Sequence, residues 1–172
     1  MRRKIVIAII IIICFLLQST LFQTISFSSI SPNLLIVVTA AFGFMRGKKE
    51  GLFVGFFCGI IMDIFFGSVL GFNALVYMLI GFSNGVFKKI FYPEDVKLPI
   101  GLIAASDILC NLVTYFVQFL SRGRFEFGYY LIHIILPELV YTLILAVVIY
   151  FVLLKINQWL ERFEKRSVKK FG

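Results

Sequence analysis

The sequence predicts an all-α integral membrane protein built as a six-transmembrane-helix bundle. Three observations carry that prediction. The 172 residues are 60% hydrophobic, against roughly 45–50% for a soluble domain, and the mean hydropathy is +1.00. The apolar residues fall into runs divided by short basic clusters. With six spans and both termini cytoplasmic, 15 of the 17 basic residues lie on the cytoplasmic side and only Arg122 and Arg124 lie opposite. The positive-inside rule demands that asymmetry. The net charge of +8 is thus a consequence of topology, and no nucleic-acid partner is implied. Residues 1–154 form the membrane domain and 155–172 a basic tail.

The first span runs from Ile5 to about Ile25 behind Arg2, Arg3 and Lys4. Its apolar run exceeds the roughly 7–15 residues of a signal-peptide core, so it is expected to be retained. Gln18, Ser19, Thr20, Gln23 and Thr24 mark its second half as facing helices or water. Pro32 is placed to open the second span, Leu34 to Met45. That span and the third, Gly51 to Phe66, are short for a hydrocarbon core about 30 Å thick. Together they form either a re-entrant hairpin or two spans; two spans bring the basic turn Arg46–Glu50 to the cytoplasm. The fourth span is Phe72 to Phe87, with Asn73, Tyr77 and Asn84 on one helical face. The fifth, Leu98 to Leu120, carries Asp107, Asn111, Thr114 and Gln118, a polar seam that lipid cannot solvate. The sixth, Tyr129 to Leu154, contains His133, Glu138 and Pro137, whose missing N–H predicts a kink.

In the tail, Ile156, Trp159, Leu160 and Phe163 recur at helical spacing among Lys155, Arg162, Lys165 and Arg166. This is either an amphipathic surface helix or a basic anchor with an interfacial tryptophan, and either form contacts anionic lipid. The cysteines Cys14, Cys58 and Cys110 sit in apolar runs without disulfide or metal-ligand spacing.

The stretch from Gly51 to Leu75 reads as the centre of the bundle. Gly43, Gly47, Gly51, Gly55, Gly59, Asp63, Gly67 and Gly71 follow one another at intervals of four. Gly51, Gly55 and Gly59 make a smooth strip for close helix packing. Gly67 and Gly71 bracket a turn. Asp63 lies among apolar residues and is either a satisfied structural acid or a functional one. No lysine or arginine lies within a span, so the intramembrane acids are expected to be protonated, bonded to Asn, Gln, Tyr or Ser, or exposed to a water-filled cavity. Gln18, Asn73, Tyr77, Asp107, Asn111, Thr114, Gln118 and Glu138 either close the bundle or line that cavity. Neither a phosphate-binding loop nor a metalloprotease motif is present. An enzyme reading would rest on Asp63 and Asp107 as a carboxylate pair. No metal or other cofactor is implied.

The order of these residues resembles the rod shape-determining MreD family. The resemblance rests on Gln18-Ser19-Thr20, on Pro32-Asn33-Leu34 and on Gly47 before a basic turn. Its most specific part is Gly55-Phe56, Gly59, Asp63, Gly67, Gly71, Ala74 and Leu75. It implies a bacterial inner-membrane protein without enzymatic activity, acting in the cell-elongation machinery that builds lateral peptidoglycan. The implied partners are an MreC-like bitopic protein, an MreB-like filament, a RodA-like glycosyltransferase and a class B penicillin-binding protein. The implied fold resembles the substrate-binding subunit of energy-coupling-factor transporters. That likeness gives the alternative function, a vitamin-type binding subunit. Against it, the first helix holds only Ala8 where such subunits carry an A-x-x-x-A-like docking motif.

Overall fold

The computed structural model describes residues 2–21, 32–67, 69–88, 97–118 and 127–171. Six helices account for almost all of them, with no strand among the described residues. Helix α1 is Arg2–Leu16 and ends in a π-helical turn, Leu17–Leu21. Helix α2 is Leu34–Arg46, α3 is Lys48–Phe66, α4 is Phe72–Phe87 and α5 is Lys97–Gln118. The last begins with Phe127–Tyr130, widens into a π turn at Leu131–Ile135, and continues as α6, Leu136–Phe171. Three stretches, Arg3–Thr20, Lys97–Val117 and Gly128–Phe163, are long and apolar enough to cross a membrane; α2 and α4 are shorter apolar helices.

The centre is α2, and not the Gly51–Leu75 stretch. Every residue from Leu34 to Met45 is buried, whereas α3 turns Phe53, Phe57, Ile64 and Phe65 outward. At about 1.5 Å per residue α2 is only about 20 Å long. It tolerates that length because other helices enclose it. Helices α3, α4, α5 and α6 all pack against it, and α1 joins along one side.

Local sequence fixes the turns. Asn33 is the N-cap of α2, and its side chain accepts from the Ile36 N–H at 3.3 Å. Pro32 therefore precedes the cap and does not open the helix. Between α2 and α3 lies one residue, Gly47, at φ 100° and ψ −177°, a region essentially restricted to glycine. The basic turn foreseen from Arg46 to Glu50 is thus only Gly47, and Lys48 to Glu50 already belong to α3. In the sixth span the π turn directly precedes Pro137: the Leu136 N–H reaches back to the Leu131 carbonyl, a wider turn where the proline removes an α-helical bond. Beyond Leu154 the helix continues unbroken to Phe171.

One end of the bundle collects the basic residues. Arg3 pairs with Glu50 across α1 and α3. Arg46, at the end of α2, bonds Asn157 of α6. Lys48 lies over the Phe82 ring of α4, 5.6 Å from its centroid.

Candidate functional site

Asp63 lies in the last turn of α3 and is only 3% exposed. Its Oδ2 accepts from the backbone N–H groups of Gly71 at 2.9 Å and Ala74 at 3.0 Å, and its Oδ1 from Asn73 at 3.0 Å. These donors belong to the N-cap and first turn of α4, which have no intrahelical acceptor. Gly71, at φ 98°, has no side chain with which to cap, so an acid from the preceding helix does it. The partial positive charge of a helix N-terminus adds to the attraction. Asp63 is satisfied by backbone, then, and not by the Asn, Gln, Tyr or Ser side chains foreseen. Gly67 is confined by the same feature, since a Cβ there would lie 2.7 Å from the Asp63 Cα.

The glycine strip brings α3 and α4 into backbone contact, the largest helix pairing of the bundle. A Cβ on Gly55 would meet the Tyr77 carbonyl carbon at 2.6 Å, and one on Gly59 the Ala74 N at 2.6 Å. One on Gly51 would meet the Gly81 carbonyl carbon at 2.8 Å. The reciprocal surface on α4 includes Gly81, packed on Gly51, and Gly85, packed on Gly47 and Lys48. Sequence reasoning missed both, although Gly81 and Gly85 are themselves four apart.

A second set of polar groups surrounds the N-terminus of α2. Gln18 Oε1 accepts from the Leu35 N–H at 3.2 Å, while its amide reaches Met62 Sδ at 3.8 Å. The Tyr77 hydroxyl donates to Asn33 Oδ1 at 2.9 Å, and the Asn33 N–H donates to Thr142 Oγ1 at 3.2 Å. Side chains from α4, α6 and the end of α1 thus converge on one helix end, which would otherwise leave unpaired donors in a dry interior. Asn33 entered the sequence reading only within Pro32-Asn33-Leu34, without a capping role, and Thr142 did not enter it; the Asn-Leu-Leu step after a proline was the cue to the cap.

The fifth helix divides the predicted seam. Asp107 is fully buried, and among the described residues neither carboxyl oxygen has a hydrogen-bond partner. Asn111 is buried and donates to the Asp107 carbonyl at 3.2 Å. Glu138 of α6 lies near both Asn111 and Asp107. Thr114 is half-buried, and the side chain of Gln118 lies outside the described residues. The acid near Asp107 is therefore Glu138; Asp63 spends its oxygens on α4. The face foreseen for Asn73, Tyr77 and Asn84 also divides. Asn73 acts through its N–H, and Asn84 donates to Ser106 of α5 at 2.8 Å. His133 is exposed and stacks on Tyr129 at 4.2 Å. Lys155, Trp159 and Arg162 are exposed, while the side chains of Lys165 and Arg166 lie outside the described residues. Among the described residues no three histidine, cysteine or acidic side chains gather as an ion site.

The polar chemistry described is bracing: helix ends capped in trans and backbones held together. A family model described as rod shape-determining protein MreD matches residues 1–160. The chain belongs to the MreD family. Nothing matches it among curated proteins or among solved structures. MreD membership makes this a shape-determining protein, and its apolar helices fit a multi-pass membrane protein. In this MreD chain, the matched region contains the α3–α4 hairpin, the α2 cap and the acids of α5 and α6.

Proposed function

We propose that the chain is a non-enzymatic membrane scaffold of the bacterial cell-elongation complex, supporting lateral peptidoglycan synthesis and cell shape. Membership of a rod shape-determining family is the observation that carries this reading. The use of buried polar groups as helix caps supports it, because they brace a rigid body. The outward aromatic face of α3 offers apolar surface to a neighbouring helix or to lipid. The proposed partners are an MreC-like bitopic protein, an MreB-like filament, a RodA-like glycosyltransferase and a class B penicillin-binding protein, with anionic lipids at the basic end. The location is the inner membrane, with both termini cytoplasmic in keeping with the charge asymmetry. The finer fold reading is a bundle of the type that binds substrate in energy-coupling-factor transporters.

A tagged pull-down from native membranes in mild detergent, read by mass spectrometry, tests the proposal. Recovery of the MreC-like protein and the wall synthases is expected. Recovery of a paired ATPase and its transmembrane coupling subunit, without wall synthases, would overturn it in favour of a vitamin-binding subunit.

A further inference from the structure

Helices α1 and α3 line a cleft of about 700 Å³ toward the basic end. Its walls are Ala8, Ile11 and Ile12 on α1 and Phe53, Phe57 and Ile61 on α3. Beyond Ile61, in the last turns of α3, the two helices meet and close it: the Phe15 and Phe65 rings are 4.8 Å apart, and Gln18 reaches Met62. At the other end Arg3 pairs with Glu50 across the gap, and Lys4 and Lys49 stand beside that pair. Both lysines are exposed, and neither makes an ion pair among the described residues. Ile12, Phe53 and Phe57 are each about half exposed, so the cleft opens sideways.

The geometry points to a binding site for one anionic phospholipid, with an acyl chain in the cleft and the phosphate between Lys4 and Lys49. Two features select this occupant. The first is charge: Arg3 and Glu50 offset each other, leaving two ammonium groups at the mouth of an apolar slot. The second is length. From Lys4 to Ile12 the wall of α1 runs about 12 Å, and from Lys49 to Ile61 that of α3 runs about 18 Å. Half of a hydrocarbon core about 30 Å thick lies between these values. The lined part of the slot thus has about the depth of one leaflet, with the cations at headgroup level. The inference narrows the anionic-lipid contact of the proposed function to one cleft, and it does not depend on the scaffold role.

The test is native mass spectrometry of the full chain from detergent, titrated with phosphatidylglycerol or phosphatidylcholine. One tightly held phosphatidylglycerol per chain is expected. A lysine near a lipid surface contributes on the order of fivefold in affinity, so the Lys4→Gln, Lys49→Gln double variant should lose roughly twenty-five-fold for phosphatidylglycerol and little for phosphatidylcholine. Ala8→Trp, which fills the cleft, should abolish the tight site while the elution volume on size exclusion stays unchanged. Lys88→Gln with Lys97→Gln makes the same charge change elsewhere at the basic end and should leave the site intact. Equal loss from that control pair would overturn the proposal, leaving only diffuse surface attraction. A photo-crosslinker at Ile12 in native membranes is expected to give a lipid adduct. A protein adduct would overturn the proposal in favour of a partner helix.

Discussion

At the scale of single residues, the two buried aspartates do opposite work. Asp63 meets three backbone donors, whereas neither oxygen of Asp107 has a hydrogen-bond partner among the described residues. Removing an acceptor from buried donors costs about 1–3 kcal/mol for each group stranded. Asp63→Ala should therefore destabilise the bundle by on the order of 3 kcal/mol, after allowing for partial rescue by water at the helix end. Asp63→Asn keeps one acceptor oxygen and should fall between alanine and wild type. Asp107→Asn removes a carboxyl whose burial no bond offsets and keeps its shape, so stability should stay within about 1 kcal/mol of wild type or rise. Thermal unfolding of the four proteins in one detergent gives the order. Asp107→Asn melting as low as Asp63→Ala would mean that Asp107 is braced as firmly as Asp63. The sequence marked both acids as special, but not which was satisfied. The partners of Asp63 are main-chain N–H groups, which every residue but proline carries and no composition reveals.

At the scale of elements, the α3–α4 hairpin reverses a general rule. Gly→Ala in a helix interior ordinarily adds about 1 kcal/mol of stability through backbone propensity. On α3 the added methyl would have to displace the α4 backbone, and overpacking of that kind costs roughly 1–3 kcal/mol. Gly55→Ala should therefore destabilise. Gly101→Ala, on α5 with nothing within 4 Å of the new Cβ, should stabilise by up to about 1 kcal/mol. Melting curves of these two single variants check the contrast; a shift of the same sign in both would remove the packing role of the strip. The strip was legible in the sequence because a spacing of four survives as a pattern. The central place of α2 was not legible, for a physical reason. In a membrane both the core and the lipid-facing surface are apolar, so the run from Leu34 to Met45 carries no mark of which it faces. Its shortness was the clue, because about 20 Å of helix lasts in a bilayer only when other helices surround it.

At the scale of the whole molecule, several of the polar contacts that join one helix to another gather at helix ends, around an apolar core. Asp63 caps α4 from α3, Gln18 and Asn33 cap α2, and at the basic end Arg46 of α2 binds Asn157 of α6. That last contact bears on where the bundle stops. Charge and amphipathicity set the edge of the membrane domain at 154, but α6 runs on unbroken, and both Asn157 and Leu160 are buried. At about 1.5 Å per residue its 36 residues reach about 54 Å, well beyond a core about 30 Å thick. The first turns past Lys155 therefore pack into the bundle. Burial of a leucine alone is worth about 2–5 kcal/mol against truncation to alanine. A chain ending at Phe163 should thus melt like the full protein, and one ending at Leu154 should melt several degrees lower, because it loses Leu160 and the Arg46 partner together. Leu160→Ala in the full chain separates these two losses and should recover a large part of the difference. If both truncations melt alike, the bundle ends at 154 and the later turns only hold charge near the lipid surface.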